Sequence, residues 1–484
     1  METPFFIISI HFMKKHLYLL LLILVQICSF AQEPFIVNPY LQLGKQPSVN
    51  SIYVQWQSAE DNSDWKVEYK TASMRNWRGA DSLTYSLLTL SGLKTRRMYQ
   101  AFFNYLEAGS IFNYRIFNRG KEVFTAEAKS LKSQDQPYRF VAVGDLGAGT
   151  PEAKKISRIV YDQHPDLVVV TGDIVYEYGL ASEYDSKFWP IYNANKSDSA
   201  GNPILRSVPW SAAPGNHDSE TRDLDKYPDA LAYFYYWNQP HNGPSGAEGV
   251  TYPALKGSEA NKQQFLKAAG PDYPKMSNFS YNYGNAHWLF LDSNPSVDWT
   301  NKEMTAWVEN DLREASGATW RFVIFHHPGF SSSREHFEQQ QMRILAPLFE
   351  AGKVDIVFNG HVHNYQRSFP LKFLPDNKGV LLVGGKDNKT NRGRIIIGRW
   401  ILDKHFNGYQ YSKPEGVIYM VTGAGGQELY NPEQQSEPDT WQKFTDIFIS
   451  TIHSVTVADV NGRTLSIRQV AANGVTLDAF TITK

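Results

Sequence analysis

The sequence predicts a protein of two domains, an all-β sandwich followed by an α/β domain. Short runs of β-branched and aromatic residues, separated by polar turns, fill residues 33–132, and such runs without helical periodicity are typical of an antiparallel sandwich. From residue 137 onward, nearly continuous apolar runs alternate with helical segments, as in a sheet whose strands are buried on both faces. The length of 484 residues also favours more than one domain.

The charge balance gives no sign of a nucleic-acid partner. Lysine and arginine total 48 against 49 acidic residues, so the chain lacks the excess of positive charge that marks nucleic-acid binding. Apolar residues make up 42% and aromatic residues 14% of the chain, which is enough for large packed cores. Composition therefore indicates a globular protein and not a disordered one.

The N-terminus has the pattern of a secretory signal peptide. Lys14 and Lys15 form a basic start, an apolar run covers Leu17–Val25, and Ser29 and Ala31 have the small side chains that a cleavage site needs. We expect residues 1–31 to be removed by cleavage after Ala31. Because a membrane anchor needs about 20 apolar residues, we expect no transmembrane segment in the mature chain.

Met13 is the expected true start of translation, and Cys28 is the only cysteine of the chain. A lipoprotein attached at Cys28 is an alternative, but the bulky Ile27 stands where a small residue normally precedes such a cysteine. Cys28 lies inside the predicted signal, so the mature chain would form no disulfide. We therefore expect a secreted protein, in a bacterial periplasm or at the cell exterior.

The strands of the first domain are predicted from five runs. They are Ser51–Gln57, Trp65–Thr71, Ser86–Leu93, Arg96–Leu106 and Ile111–Asn118. The stretch "LEAGSIFNY" resembles the corner turn of fibronectin type III domains, with Phe112 where those domains usually have the corner tyrosine. The resemblance implies a fibronectin III-like sandwich without the corner hydrogen bond.

The second domain is expected to begin after the linker "SQDQP" and to cover residues 137–484. One of its helices has a predicted capping box, Thr300 with Glu303, and an apolar stripe that ends near Gly317. The stripe comprises Met304, Trp307, Val308 and Leu312. The segment Ser219–Met276 lacks clear periodicity, and we expect long surface loops there that face the substrate.

Polar side chains follow the apolar runs of the second domain. They are Asp145, then Asp173 and Tyr176, then Asn216 and His217, then His326 and His327, and finally His361 and His363. In an open α/β sheet, sites form at the carboxyl ends of strands, so these residues can converge. Carboxylate, imidazole, amide and phenol groups suit ions such as iron, zinc or manganese. The pattern therefore predicts a metal site.

The blocks "GDLG", "GDIVY", "GNHD", "VIFH" and "GHVH" occur in the order found in purple acid phosphatases, within the calcineurin-like metallophosphoesterase superfamily. "NFSYNYGNAHWLFLDS" and "HSVTVADVNGRTLSIRQV" are also similar to that family. The resemblance implies the α/β metallophosphoesterase fold, a mixed β-sandwich flanked by helices, with the all-β domain in front.

The resemblance also implies the ligands of two ions. One ion would be held by Asp145, Tyr176 and His363, the other by Asn216, His326 and His361, and Asp173 would bridge both. Many relatives in the superfamily have a histidine where Gly147 stands, and no tyrosine ligand. A phenolate favours a trivalent ion, so we expect Fe(III) in the Tyr176 site; the second ion is left open among Fe(II), Zn(II) and Mn(II).

By the same resemblance, His217 and His336 would be the catalytic histidines that orient the substrate or donate a proton. Asp218 replaces the glutamate common in "GNHE" and is interpreted as a residue behind the ligands. Arg367 could reach phosphate or be structural, and His287 and His327 are expected to serve packing or to support the ligands.

The implied function is hydrolysis of phosphate monoesters by metal-bound hydroxide, with a small phosphorylated substrate and an acidic pH optimum. A phosphodiesterase or nucleotide hydrolase is an alternative, because the same site serves diesters and anhydrides. A third hypothesis is an inactive secreted binding module. The sequence gives no oligomeric state.

Overall fold

The computed structural model describes residues 34–249, 251–376 and 395–484. The predicted signal peptide, residues 1–31, lies outside these ranges. Among the described helices, none is both long enough and apolar enough to cross a bilayer.

The first part of the chain forms two four-stranded antiparallel sheets. Their strands are β1 (Val37–Gln42), β2 (Ser51–Ala59), β3 (Trp65–Thr71), β4 (Arg78–Gly79), β5 (Ser82–Leu88), β6 (Arg96–Asn104), β7 (Ile111–Asn118) and β8 (Lys121–Lys129). One sheet has the order β1-β2-β6-β5 and the other β4-β3-β7-β8. Inward-facing aromatic residues fill the space between them, with Tyr69 on β3 of one sheet stacked on Phe103 on β6 of the other at 4.6 Å between ring centroids. The prediction of an all-β sandwich is confirmed.

Four of the five predicted runs coincide closely with strands, and the run Ser86–Leu93 is misplaced. The run Ser86–Leu93 was predicted as a strand, but β5 covers Ser82–Leu88 and the chain then turns. The exposed part of β5 is polar, so its sequence lacks the apolar density by which the other runs are recognised.

The second part of the chain forms two larger mixed sheets and a hairpin. Its strands are β9 (Tyr138–Val143), β10 (Leu167–Val170), β11 (Trp210–Ala212), β12 (Phe279–Tyr283), β13 (Ala286–Phe290), β14 (Trp320–Ile324), β15 (Ile356–Asn359), β16 (Tyr365–Ser368), β17 (Leu371–Pro375), β18 (Gly398–Leu402), β19 (Ile418–Thr422), β20 (Thr445–Ile449), β21 (Ser454–Asn461), β22 (Thr464–Ala471) and β23 (Thr476–Thr483). The sheet orders are β11-β10-β9-β21-β22-β23 and β12-β13-β14-β15-β19-β16-β20, and β17 pairs with β18. Strands β9, β10 and β11 run parallel in one sheet, and β13, β14, β15 and β19 run parallel in the other.

The two large sheets pack face to face through aromatic side chains. The ring of Phe140 on β9 lies 4.9 Å from Trp288 on β13 and 5.8 Å from Phe358 on β15, measured between centroids. All three side chains are fully buried. The predicted mixed β-sandwich is confirmed, and this packing holds the parallel strands of the two sheets in a common orientation.

Helices cover the outer faces of the sheets. The α-helices are Pro151–Asp162, Ala181–Glu183, Trp189–Tyr192, Asn216–Ser219, Tyr233–Tyr236, Glu259–Ala269, Lys302–Glu314 and Ala346–Ala351, with a π-helical turn at Tyr184–Phe188. Short 3-10 helices occupy Tyr273–Ser277, Ala315–Gly317, Gln341–Leu345, Pro432–Ser436 and Pro438–Thr440.

The helix Lys302–Glu314 begins at a different cap from the one predicted. Asn301 is the N-cap, and its side chain accepts hydrogen bonds from the backbone N–H groups of Glu303 and Met304. Thr300 instead donates its hydroxyl to Asp298, so the predicted Thr300 capping box is wrong. Asparagine and threonine are both favoured N-cap residues, asparagine more strongly, and the backbone path places Asn301 at the cap.

The segment Ser219–Met276 is only partly loop. It contains the helix Glu259–Ala269, and the aromatic side chains of Tyr233–Tyr236 are buried in the core of the α/β domain. The prediction of long surface loops is therefore wrong for Tyr233–Tyr236 and for Glu259–Ala269, whereas most of the remaining residues of the segment lie in loops. Aromatic residues that pack one by one from short turns leave no periodic pattern for sequence reasoning to detect.

The sandwich is bound firmly to the α/β domain. The Arg96 guanidinium donates to both carboxylate oxygens of Asp185, at 3.0 and 2.8 Å, and the Leu41 N–H donates to the Leu205 carbonyl at 2.9 Å. These contacts tie the front domain to the helical layer beside β9 and β10, whose ends carry the site described below.

Candidate metal centre

The predicted site residues follow the carboxyl ends of parallel strands. Asp145 follows β9, Asp173 follows β10, Asn216 and His217 follow β11, His326 follows β14, and His361 and His363 follow β15. Both sheets contribute, because the face-to-face packing brings the ends of β9–β11 beside those of β14 and β15. The structure thus brings the seven predicted ligands together.

One set of donors comprises Asp145, Tyr176 and His363. The Tyr176 hydroxyl lies 3.0 Å from Oδ1 of Asp145 and 3.3 Å from Nε2 of His363, and the last two atoms are 3.4 Å apart. Donors that share one ion through bonds of about 2.1 Å lie roughly 3.0 Å apart in an octahedron and roughly 3.4 Å apart in a tetrahedron. The spacing of these three donors therefore fits a single ion.

The second set comprises Asn216, His326 and His361, with Asp173 beside them. Nε2 of His326 lies 3.1 Å from Oδ1 of Asn216 and 3.1 Å from Oδ2 of Asp173. Ligand atoms of Asp173, His326 and His361 all lie within 4.8 Å of one another. Nε2 of His361 is buried and has no hydrogen-bond partner among the described residues, although a buried polar atom normally has one. These donors fit a second ion.

Backbone carbonyls orient two of the imidazoles. Nδ1 of His326 lies 2.9 Å from the carbonyl oxygen of Thr171, and Nδ1 of His363 lies 2.7 Å from that of Glu428. A carbonyl only accepts, so both Nδ1 atoms carry the proton and donate it. With an ion bound, each Nε2 would offer its lone pair to that ion, which is the arrangement that supports metal-ligating histidines.

The backbone at this site is strained. Asp145, Asp173 and His361 have φ angles of 59°, 53° and 66°, in the left-handed region that costs a non-glycine residue about 1–2 kcal/mol. Such strain persists where the surrounding structure enforces it, and it concentrates at functional sites. Hydrogen bonds from the His361 N–H to both carboxylate oxygens of Asp145, at 3.1 and 3.0 Å, contribute to that enforcement.

Glycines allow the ligand loops to approach one another. A Cβ at Gly215 would lie 2.0 Å from Oδ1 of Asp173, and a Cβ at Gly147 would lie 1.7 Å from the carbonyl oxygen of Ile174. A histidine at position 147 therefore does not fit this backbone.

Charges inside the site influence one another strongly. Burial lowers the pKa of His326, but the adjacent Asp173 carboxylate outweighs burial and raises it to about 9. Burial, followed by the charge of Asp173, raises the pKa of Asp218 to about 7. Asp218 accepts hydrogen bonds from the N–H groups of Gly215 and Ile174, at 2.9 and 3.1 Å, so it holds the two ligand loops together from behind.

The site opens into a cleft of about 380 Å³. The two predicted catalytic histidines, His217 and His336, both line this cleft, together with Asn216 and His361. Nδ1 of His217 donates to the Glu177 carbonyl at 2.7 Å, and the His336 ring lies 4.0 Å from the His361 ring. Burial lowers the pKa of His217, but the Asp173 carboxylate and the Glu177 carbonyl outweigh it, so this pKa lies above its usual value.

Two aromatic side chains lie beside the ligands: Tyr430, which has no signal in the sequence, and His327, which was expected to serve packing or to support the ligands. The ring of Tyr430 stacks on His363 at 4.0 Å with an angle of 13° between the planes. The ring of His327 lies 4.2 Å from His361 and lines the cleft, while its Nδ1 contacts the Ser293 hydroxyl at 3.0 Å. A lone tyrosine in a distant loop is indistinguishable in sequence from a core residue.

Two other polar residues that the sequence brought into consideration are structural. Arg367 forms ion pairs with Asp446 and Asp478, each at 2.7 Å. His287 pairs with Asp311 at 2.8 Å, away from the residues that line the cleft.

Comparisons with known proteins agree with this architecture. Residues 138–365 match the family model of the calcineurin-like phosphoesterases. Purple acid phosphatase 1 of Ipomoea batatas is 27% identical over 273 residues, which are 54% of this chain and 50% of that protein; this chain thus spans half the length of that relative. Purple acid phosphatase 18 of Arabidopsis thaliana is 24% identical over 405 residues, 81% of this chain and 78% of the relative.

Two solved structures share the fold. Purple acid phosphatase PPD1 from yellow lupin (Lupinus luteus) seeds superposes with a TM-score of 0.59 at 18% identity, covering 92% of this chain and 74% of its own. The structure of PhoD gives a TM-score of 0.55 at 13% identity, covering 94% and 91% of the two chains. Residues 138–365 therefore match a calcineurin-like phosphoesterase domain, and the chain is similar in sequence to purple acid phosphatases and shares the fold of one of them.

Proposed function

We propose that this protein is an exported acid phosphatase that hydrolyses phosphate monoesters at a site for two metal ions. One observation carries the proposal: two sets of donor atoms, each compact enough for one ion, lie buried close together, and Asn216 and His361 of the second set line a cleft. Calcineurin-like phosphoesterases and purple acid phosphatases imply a dinuclear site of this kind.

Asp173 is the proposed bridge between the two ions. Its Oδ2 lies 3.1 Å from His326 in the second donor set. On the other side, its charge also acts on Tyr176 in the first set, whose pKa is raised by burial, then by Asp145 and then by Asp173. A carboxylate that influences both sets is suited to hold two ions side by side.

Bound ions would supply an acidified water as nucleophile and positive charge against the phosphoryl oxygens. The side chains of this chain would perform the remaining tasks. Asn216, His217, His327, His336 and His361 form the part of the cleft nearest the ligands, so a phosphoryl group there contacts imidazole donors. His217, whose pKa is above its usual value, would stay protonated in mild acid and donate its proton to the departing alkoxide.

Turnover of matched esters tests this function. After metal loading, we expect an aryl phosphate monoester to be hydrolysed faster than the corresponding diester, with a rate that falls as His217 loses its proton at higher pH. Faster hydrolysis of the diester would favour the phosphodiesterase or nucleotide hydrolase alternative. No hydrolysis of either ester by protein that contains two ions would favour the inactive binding module.

We further propose Fe(III) in the site of Asp145, Tyr176 and His363, and Fe(II), Zn(II) or Mn(II) in the other. Burial and the two neighbouring carboxylates raise the pKa of Tyr176 well above its usual value. A phenolate therefore forms there only beside a strongly charged cation. A trivalent ion offsets the free-energy cost of deprotonating Tyr176 better than a divalent one. The spectroscopic test is described in the Discussion.

Export is proposed from the signal-like pattern before residue 32. We expect N-terminal sequencing of the mature protein from the cell exterior or periplasm to begin at Gln32. An N-terminus at Met13, or recovery only from the cytoplasm, would contradict export.

We further propose that the mature chain divides into domains at residues 33–132 and 137–484. The pairing of β1–β8 only with one another, among the described strands, supports this division.

A further inference from the structure

The outer part of the cleft differs in charge from its inner end. Buried imidazoles, among them His327 and His361, line the inner end, where the phosphoryl group would bind. The exposed side chains along the lining are Glu177, Tyr178 and Glu220. Among the described residues that line the cleft there is neither lysine nor arginine. A leaving group that extends from the phosphoryl position toward solvent therefore meets carboxylates and an aromatic ring.

Glu177 is an exposed carboxylate beside His217, one of the proposed catalytic histidines. Its Oε2 lies 3.9 Å from Nδ1 of His217, and its side chain is 60% exposed. A group attached to the phosphate by two or three bonds beyond the ester oxygen would come within reach of this carboxylate. At such distances a carboxylate attracts a positive charge and repels a negative one, although solvent weakens both effects.

Tyr178 presents a fixed aromatic face beside Glu177. Its ring stacks on Tyr227 with centroids 4.4 Å apart and planes at 25°, and its backbone N–H donates to Glu183 at 3.0 Å. The ring is nevertheless 43% exposed. An exposed tyrosine next to a carboxylate is the combination that recognises ammonium groups, through the ring quadrupole and the opposite charge.

We propose that the cleft selects phosphate monoesters whose alcohol part carries an ammonium group. The proposal rests on the proposed phosphatase function and names its substrate class. In the reaction, water attacks phosphorus, the bond from phosphorus to the ester oxygen breaks, and that oxygen takes a proton. The products are inorganic phosphate and a free amino alcohol. Esters whose alcohol part carries a second anion are disfavoured by Glu177.

Three esters of the same length test this selection: O-phosphoethanolamine, 2-hydroxyethyl phosphate and phosphoglycolate. They end in an ammonium, a hydroxyl and a carboxylate. With the metal-loaded protein in mild acid, we expect kcat/KM to decrease in that order. Each step should be about two- to fivefold, the range of an exposed charge interaction, and should shrink as salt is added.

Variants separate the two recognition groups. Glu177→Gln is expected to reduce the ratio of kcat/KM for the ammonium ester to that for the hydroxyl ester by about two- to fivefold. Tyr178→Leu is expected to reduce the same ratio by a similar factor. Glu309→Gln removes an exposed carboxylate on the helix Lys302–Glu314, outside the cleft lining, and should leave the ratio unchanged.

The outcomes that overturn the selection differ from those that overturn the function. Equal or better turnover of the hydroxyl ester, with a ratio insensitive to Glu177→Gln, would show a cleft for hydroxyl-rich alcohols while the phosphatase function stands. Preference for phosphoglycolate would also refute the selection. Failure to hydrolyse any of the three esters, together with aryl phosphates, would refute the phosphatase function itself.

Discussion

Asp173→Asn is expected to lower kcat/KM for phosphate monoesters by at least about 100-fold. Loss of a group that merely supports a metal ligand typically costs 10–100-fold in affinity or activity, and Asp173 is a proposed ligand of both ions. The metal content, measured by elemental analysis, should fall below two ions per chain. Asparagine keeps an oxygen for the His217 N–H, which Oδ1 of Asp173 accepts at 3.0 Å, so the local fold should be retained.

Asp311→Asn is the matched control for this variant. Asp311 is a carboxylate whose side chain is 12% exposed and that pairs with a histidine, with Oδ2 2.8 Å from Nε2 of His287, but it does not line the cleft. The two variants remove the same charge from similar pairs, so they should have comparable costs in stability and different effects on activity. If Asp173→Asn kept its activity and both ions, or if Asp311→Asn lost activity equally, the bridging role of Asp173 would be wrong.

Tyr176→Phe is expected to abolish the visible absorption band of the iron-loaded protein. The band would arise from transfer of charge between a phenolate and Fe(III), and the Tyr176 hydroxyl lies 3.0 and 3.3 Å from the other two donors of its set. Phenylalanine keeps the buried ring and removes only the donor oxygen. The measurement is the absorption spectrum of each protein at equal iron content.

Tyr283→Phe is the control for the spectrum. Tyr283 is buried and donates its hydroxyl to the Asp166 carbonyl at 3.0 Å, so this variant removes a buried tyrosine hydroxyl outside the donor sets. Its band should match that of the unmodified protein. A band that survives in Tyr176→Phe would exclude Tyr176 as its source, and an active, colourless protein with two divalent ions would exclude the ferric site.

The architecture was predictable because buried strands have recognisable local sequence patterns. Short β-branched and aromatic runs between polar turns predicted the strands of the sandwich, and unbroken apolar runs predicted β9, β10, β14 and β15, whose two faces are both covered. The prediction failed where buried residues form no periodic pattern in the sequence. Tyr233–Tyr236 are buried core residues in a single helical turn. Four consecutive aromatic residues show neither the alternation of a half-buried strand nor the apolar stripe of an amphipathic helix.

For the candidate site, the side chains with metal-binding chemistry were predictable from the sequence. Their partners were not, because the groups that orient His326 and His363 are the backbone carbonyls of Thr171 and Glu428. Every residue has a carbonyl, so no residue type signals this role. Tyr430 likewise reaches His363 only through the return of a distant loop.

By itself, the sequence determined which side chains follow the buried strands, since each apolar run and the polar residue after it are neighbours along the chain. Only the tertiary structure decided that these strand ends meet, because contacts such as that of Phe140 with Trp288 and Phe358 form between separate sheets. It also decided the charge of the cleft. Glu177 and Tyr178 lie one and two residues beyond a proposed ligand, but their exposure toward the substrate follows from the turn of the backbone and the stacking of Tyr178 on Tyr227. The order of residues along the chain determines which side chains follow each strand. Packing between segments far apart in the chain determines which of these side chains meet and which are exposed in the cleft.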